Sequence, residues 1–284
     1  MRNRDLSRQH QLIGDLFNSQ FDDTSVSNDQ AAFFDANGYI AGIKLLSDVQ
    51  IEALRQDLST MMLNEYADDP RFYEYHSNES ADPAKALFHA LGAWRVSPSF
   101  HDLVFYPPLI KIAAKLLGGQ VRLWHDQIFV KPAGDGAVVA WHQDYSYWTR
   151  TKPVSHLTCW IGLDDSMIEN GCVHYVPGSH RWNLLPRTDL ATDMNAVLHV
   201  LTPEQHTAFL PVPIELRAGE ASFHHPMLVH GSYENSSDKP RRAVVINFIR
   251  DGVCSDSDEP LLAGVPPVSR DEVLTGRFFP LLLS

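Results

Sequence analysis

Cysteine is scarce in this chain of 284 residues: Cys159, Cys172 and Cys254 are all there is. The number is odd and no CxxC pair occurs, so neither a disulfide framework nor a zinc knuckle organises the fold, and a reducing, cytoplasmic setting is expected. No apolar run reaches the roughly 18 residues that a membrane-spanning helix needs. The opening residues Met1-Arg2-Asn3-Arg4-Asp5 lack the apolar stretch of a secretory signal, so none is expected. Positive charge is in deficit, with 23 Lys and Arg against 35 Asp and Glu and a net charge of −12. That balance argues against a nucleic-acid partner, which requires a basic face to neutralise phosphates, and against docking on an anionic membrane. Internal repeats and low-complexity segments are also missing.

What is present is an ordinary globular composition, 44% hydrophobic and 20% charged, with enough apolar material for a large core. Residues 1–30 are polar and read as a loosely held arm, with a helical tendency around Leu6–Phe17. Phe33 to Ile40 reads as a helix end, an Asn37-Gly38 turn and a first strand. Ser47 with Gln50 forms a capping box, and Ile51, Leu54, Leu58, Met61 and Met62 continue at helical spacing. Residues 67–100 show no clear period, which in a compact domain suggests a segment that covers a site. A second helix is expected over Pro108–Leu117, stopped by Gly118-Gly119.

From Val121 the pattern changes to short strands broken by Gly, Pro, Asn and Asp. They are expected at Val121–Lys131, Ala137–Gln143, His156–Leu163, Cys172–Val176, Ile214–Leu216, Ala221–His224 and Ala243–Ile249. Strands of this length and number form a sandwich or a barrel, of which the jelly roll is one solution. The expectation is one mainly β domain over residues 31–284 with flanking helices.

The chemistry is carried by a spacing. His142 and Asp144 stand two apart, so at a strand end they share a face. His230 follows His142 by 88 residues, in an apolar stretch Pro226–Gly231 read as a strand, and Arg241 follows 11 later at the mouth of another apolar strand. Each alone has an ordinary explanation: a surface histidine beside an aspartate, a core histidine on a carbonyl, an arginine in an ion pair. Together, two imidazoles and one carboxylate can hold Fe(II) on one face and leave open positions for an oxo-acid and O2. The arginine can then grip the far carboxylate of that oxo-acid through a two-point fork. Tyr145, Tyr147 and Trp148 directly follow the metal motif and are expected to line the substrate space, with packing under a loop as the plainer reading. Residues 67–100 and Tyr145–Lys152 are the expected lid. His174, His180, His224 and His225 read as structural or supporting residues, and His125 as a possible substrate contact.

The order His142-Gln143-Asp144, Trp160, Glu169-Asn170-Gly171, Pro177-Gly178-Ser179-His180, Gly219-Glu220, His230-Gly231-Ser232, Asn235 and Arg241 resembles the phytanoyl-CoA dioxygenase family over roughly residues 32–250. The resemblance implies a double-stranded β-helix, that is, a jelly roll, with Fe(II), 2-oxoglutarate and O2. It places the iron on His142, Asp144 and His230 and the 2-oxoglutarate C5 carboxylate on Arg241, with Ser232 adding a hydroxyl. It puts Thr158 and Trp160 in the cosubstrate pocket, and Gln127 and Lys131 beside it on an earlier strand. Asp144 stands where related iron halogenases carry a small residue, so hydroxylation of a small organic molecule is implied rather than halogenation. Two rival readings use the same residues: a zinc hydrolase on the His/Asp/His set, and a binding protein that kept the jelly roll without the chemistry.

Overall fold

The computed structural model describes residues 4–18, 25–191 and 193–283. Five α-helices are present among them: α1 (Asn28–Asn37), α2 (Asp48–Met61), α3 (Pro98–Val104), α4 (Pro107–Leu117) and α5 (Pro203–Ala208). The strands are β1 (Tyr39–Lys44), β2 (Glu74–His76), β3 (Phe88–Leu91), β4 (Val121–Lys131), β5 (Val139–His142), β6 (Thr151–Lys152), β7 (His156–Gly162), β8 (Val173–Tyr175), β9 (Val212–Ile214), β10 (Glu220–His224), β11 (His230–Ser232), β12 (Arg241–Arg250), β13 (Cys254–Ser255) and β14 (Leu281–Leu282). The major sheet runs β1-β10-β7-β12-β4-β3-β2 with β14 added beside β4, and the minor sheet runs β5-β11-β8-β9. All their pairings are antiparallel. This is the expected jelly roll with helices outside it.

The local signals explain most of these boundaries. Ser27 with Gln30 and Ser47 with Gln50 both form capping boxes, so α1 and α2 begin with their free N–H groups satisfied. Gly38 ends α1 at φ +84°, a conformation that strains any residue with a Cβ, and a Cβ there would also stand 2.6 Å from the His180 ring.

Side-chain alternation makes the major sheet two-faced. Val244, Ile246 and Phe248 of β12 pack with Leu157, Cys159 and Ile161 of β7 against the helical layer, in one core that includes Leu54, Leu58, Phe100, Leu109 and Ile112. The intervening residues point to the other face. There Trp160, Ala243 and Val245 pack against Val173, Tyr175 and Ile214 of the minor sheet. The same face carries a transverse polar row, because the register pairs His224 with Thr158, Thr158 with Asn247, and Asn247 with His125.

Three expectations need correction. The N-terminal stretch is not loosely held over its described residues, and within Leu6–Phe17 only Leu6–Arg8 is helical, as one 3-10 turn. Phe17 is fully buried with its ring 5.3 Å from that of Tyr106, and Asp102 accepts the backbone N–H groups of Ile13 and Gly14. Asp5 pairs with Arg95 at 2.7 Å and Arg277 at 2.6 Å. Polar composition signalled exposure, but these polar groups meet partners distant in sequence. Residues 1–3 and 19–24 of the expected arm lie outside the described residues. Residues 67–100 are not a structureless cover: β2 and β3 extend the major sheet, and Phe72, Tyr73 and Trp94 are buried. The stretch before His230 is not a strand either, since β11 starts at His230 and Leu228 is turned back by its N–H donating to the His225 carbonyl.

Asp5 gives a stability test. Burial opposes its ionisation, but Arg95 and the donors of Ser7 more than compensate and bring its pKa from 3.8 to about 2. Asp5→Ala leaves the buried Arg95 without its anion and is expected to lower stability by about 2 kcal/mol at neutral pH. A depressed carboxylate contributes fully above its unfolded pKa and loses that contribution as pH falls through the folded value. The difference between wild type and variant in urea denaturation should therefore be constant from pH 7 to about 5 and shrink towards pH 2; a difference that does not shrink contradicts this role.

Candidate active site

His142 ends β5 and His230 opens β11, and the antiparallel register sets them directly opposite each other with rings 4.1 Å apart. Close approach of these strands is helped by Gly231, where a Cβ would lie 2.9 Å from the Val139 carbonyl oxygen. His142 Nδ1 lies 2.7 Å from the Ala140 carbonyl oxygen and His230 Nδ1 2.9 Å from that of Leu228. A carbonyl only accepts, so each ring carries its proton on Nδ1 and turns the Nε2 lone pair to the centre of the site. Burial and the neighbouring His142 hold the His230 pKa well below the usual value, which keeps that ring neutral and able to ligate.

Asp144 arrives from the 3-10 turn Asp144–Tyr147, just past the strand, rather than from the strand itself. Its Oδ1 lies 3.5 Å from His142 Nε2 and 3.6 Å from His230 Nε2. Its Oδ2 accepts from Thr158 Oγ1 at 2.6 Å and from His224 Nε2 at 3.1 Å. Burial would raise the Asp144 pKa, but His230, His142 and His224 hold it well below the ordinary carboxylate range. One oxygen is thus committed to the protein and the other is free. The three free donors, His142 Nε2, Asp144 Oδ1 and His230 Nε2, belong to a buried cluster with all ligand atoms within 4.8 Å of one another, a shape and chemistry that fit one divalent metal ion.

His224 is itself oriented. Its Nδ1 lies 2.9 Å from the Tyr175 hydroxyl, which lies 2.8 Å from Ser222 Oγ. Since Nε2–H must donate to the carboxylate, Nδ1 accepts from the tyrosine, and the minor sheet is tied to the major one at this point. Thr158 also lies 3.0 Å from Asn247, and Asn247 3.2 Å from His125 Nδ1. The supporting role read for His224 is therefore met at a specific atom. Thr158, expected in the cosubstrate pocket, turns its hydroxyl to Asp144.

A cavity of about 440 Å³ opens over these donors. Arg241 lies in its wall, 1% exposed, with its guanidinium 5.4 Å from the centre of the Trp160 ring. Burial lowers its pKa to about 10, so it remains a cation at neutral pH. Its Nε has no hydrogen-bond partner, and among the described residues it makes no ion pair. Ser232 stands in the same wall and accepts at Oγ from Lys131 Nζ at 2.7 Å, so its own O–H remains free to donate. Lys131 also donates to the Ser232 and Tyr233 carbonyls, and burial together with Arg241 pushes its pKa well down. A buried cation with an unmet donor beside a free hydroxyl fits a carboxylate ligand.

The cavity gathers His142, Asp144, His230, Arg241, Ser232, Thr158, Trp160, Gln127, Tyr147 and Trp148. Tyr145 is not brought there: its ring packs in the cluster of Tyr73, Trp124 and Val253, and its hydroxyl donates to the Thr151 carbonyl. Gln127 faces the cavity with its amide on His89, 3.0 Å away. The proposed lid segments supply Glu74, Glu79, His89 and Leu91, and Tyr147, Trp148 and Arg150. Sequence reading missed Arg187–Ala191 and Leu261-Leu262, which also line the space. Residues 187–191 carry no periodicity. They are seated by Leu190 accepting from the Ala140 N–H at 2.7 Å and by Tyr147 donating to the Thr188 carbonyl.

The sequence profile that matches this chain over residues 34–243 is that of phytanoyl-CoA dioxygenase. The chain belongs to the phytanoyl-CoA dioxygenase family. It is accordingly an Fe(II)- and 2-oxoglutarate-dependent dioxygenase, with Fe(II), 2-oxoglutarate and O2 as cofactor and cosubstrates, and the donor set and buried arginine described above suit that chemistry. Among its relatives is a phytanoyl-CoA dioxygenase of Arabidopsis thaliana, 26% identical over 263 residues that cover 81% of this chain and 91% of the relative. An L-proline trans-4-hydroxylase of Streptomyces griseoviridis is 29% identical over 192 residues, covering 59% of this chain and 72% of that one. Among solved structures, the non-heme α-ketoglutarate-dependent carbocyclase SnoK from nogalamycin biosynthesis shares the fold, with a TM-score of 0.73 and 24% identity over 90% of this chain and 96% of that one.

The Thr158 hydroxyl offers a direct test of how Asp144 is held. Thr158→Val keeps the shape and removes the donor, and metal affinity is expected to fall by about 10–100-fold, as for lost outer partners of metal ligands generally. Thr158→Ser should restore most of it. Anaerobic calorimetric titration with Fe(II) or Mn(II) reads the change, and unaltered affinity in the valine variant contradicts the assignment.

Proposed function

We propose that this protein hydroxylates a C–H bond of a small organic molecule, with His142, Asp144 and His230 holding Fe(II) and Arg241 and Ser232 holding the far carboxylate of 2-oxoglutarate, all within one domain of residues 31–284. The observation that carries this reading is Arg241: a buried cation with an unmet N–H in the wall of the same cavity as the donor triad. Bound iron with 2-oxoglutarate supplies O2 activation coupled to release of succinate and CO2. The protein's part is to orient and to exclude water. Trp160 backs the guanidinium, Lys131 steers the Ser232 hydroxyl, and Thr158 with His224 commits Asp144 to a single metal-facing oxygen.

The size of the space supports a small substrate. A cavity of about 440 Å³ lies near the lower end of ordinary ligand pockets and must also admit 2-oxoglutarate. A net charge of −12 offers the phosphates of a CoA thioester little. The free amino acid in the name of the L-proline trans-4-hydroxylase is of the size this chamber suits. The same charge speaks against a nucleic-acid or membrane partner, and three free cysteines suit a reducing cytoplasm. Among the described residues no helix is long and apolar enough to cross a membrane. A zinc hydrolase on the same three donors would have no use for a buried arginine awaiting a carboxylate.

Purified anaerobically and given Fe(II), 2-oxoglutarate and O2, the protein is expected to form succinate slowly even without an organic substrate. Asp144→Ala should abolish this. Arg241→Met should leave metal binding intact and raise the KM for 2-oxoglutarate by about 100-fold or more, the loss expected when one partner of a buried charge pair is removed. Absence of succinate, with tightly held zinc, would turn the assignment to the hydrolase.

A further inference from the structure

The chamber contains a second polar site that none of the roles above uses. It lies on the β3 side of the cavity, while Asp144 follows β5 and its supports Thr158 and His224 lie on β7 and β10. His89 of β3 is almost fully buried, its ring stacked on Phe129 with centroids 4.3 Å apart and planes 10° from parallel. Its Nε2 meets Gln127 at 3.0 Å. Its Nδ1 lies 2.8 Å from Glu79 Oε2, an ion-pair contact whose angles fall short of a hydrogen bond, and neither buried atom has a hydrogen-bond partner besides it. Unmet polar atoms in a native interior are rare, and each calls for a ligand or a catalytic use.

Glu79 faces the chemistry. Burial raises its pKa, but His89, with smaller contributions from His76 and His142, brings it below the ordinary value, so it is an anion. Its field is also felt at Tyr147, which borders His142. Among the described residues no Lys or Arg pairs with it. The cations of the cavity wall are engaged elsewhere: Arg150 donates to the Pro260 and Leu261 carbonyls, Arg187 lies over the Tyr147 ring, and Arg241 is at the cosubstrate end. Iron and Arg241 are together balanced by Asp144 and the two carboxylates of 2-oxoglutarate, and Glu79 has His89 as its ion-pair partner, with no Lys or Arg on it among the described residues. Leu91, Trp124, Trp148, Leu261 and Leu262 are among the apolar residues of the lining.

We propose that Glu79, positioned by His89, is the substrate-recognition carboxylate, and that the substrate is a small amphipathic amine whose ammonium pairs with Glu79 while its apolar body lies against Trp124, Trp148 and Leu261-Leu262. This deepens the oxygenase reading and rests on it. The ammonium meets the carboxylate from the cavity side, where no Lys or Arg of the described residues engages it. Gln127 supports this anchor through His89 rather than touching 2-oxoglutarate.

The test uses a matched set of probes on the anaerobic complex of full-length protein with Fe(II) and 2-oxoglutarate: phenethylamine, its N-acetyl derivative and 3-phenylpropanoate. Calorimetry should show phenethylamine bound about tenfold or more tightly than either analogue, the weight of one partly buried ion pair. In Glu79→Gln, which keeps the side-chain shape, the preference should vanish, whereas Glu74→Gln at the exposed rim should retain it. Equal binding of the three probes, tighter binding of the acid, or no binding of the amine at millimolar concentration overturns the proposal, as does a preference that survives Glu79→Gln. The comparison of probes on the wild type stands even where a variant fails to fold. Succinate formation without organic substrate reports separately on the oxygenase reading, so failure of one is not mistaken for failure of the other.

Discussion

Asp144 gives one of its two carboxylate oxygens away, and the rest of the site depends on that division. Oδ2 is taken by Thr158 and His224, and Oδ1 is left between two imidazole nitrogens. A carboxylate free at both oxygens can rotate and chelate a metal through both, closing a position that a cosubstrate needs. Fixed at one oxygen, it offers a single ligand atom. The fixing groups lie side by side because β10, β7, β12 and β4 are in a register that aligns His224, Thr158, Asn247 and His125 across the sheet. A one-residue slip of any of these strands would turn its member of the row into the helical core. That core, continuous from Leu157 to Phe248 and packed on the outer helices, therefore holds the metal-facing geometry through register.

The minor sheet supplies the histidines, and the two sheets meet at Tyr175. Its hydroxyl bridges from β8 to Ser222 and His224 on β10, deep in the interior, where burial pushes its pKa upward and keeps it a neutral donor. The chain of proton positions is fully determined from there. Tyr175 donates to His224, His224 donates to Asp144, and Asp144 presents Oδ1. On the opposite side, the carbonyls of Ala140 and Leu228 determine the tautomers of His142 and His230. The donor set is preformed by neutral backbone and hydroxyl groups, so little reorganisation accompanies loading.

The legible part of this protein was the part whose residues act at fixed spacing along strands. The convergence of His142, Asp144 and His230, with Arg241 in the wall of the same cavity, follows from residue types and intervals, and the capping boxes and the α4 stop at Gly118 follow from local rules. The illegible part is long-range. Nothing in Asp5 announces Arg95 and Arg277, so a polar segment read as loose. Tyr145 sits beside Asp144 in sequence and shares the Trp124 cluster with Trp148, but Tyr147 and Trp148 also line the cavity and Tyr145 does not. Thr158 alternates with Cys159 in a way that predicts its face, not its partner, and the partner is a carboxylate 14 residues earlier on another element. Glu79 and His89 lie in a segment without period, and only the pairing of β3 with β4 brings His89 beside Gln127.

That difference has a physical cause. The candidate metal donors and their supports sit on the paired strands or the turn directly adjoining them, where register leaves no freedom. The substrate walls come from the connections: Glu79 before β3, the turn after β5, residues 187–191, and Leu261-Leu262 beyond β12. Loops can change without disturbing the register on which Asp144 depends, so the reaction and its selectivity are carried by separable parts of the chain. Arg241 belongs to the first part and is a standing electrostatic liability without its ligand, since a buried guanidinium with an unmet N–H destabilises the empty site. Glu79 is the matching liability in the second part. Its anion is tolerable because the side chain is about a quarter exposed and pairs with His89 at 2.8 Å. With a buried guanidinium and an anionic carboxylate in the wall of one chamber, the two ligands of the proposed reaction are sorted by charge, the dicarboxylate to Arg241 and the ammonium to Glu79.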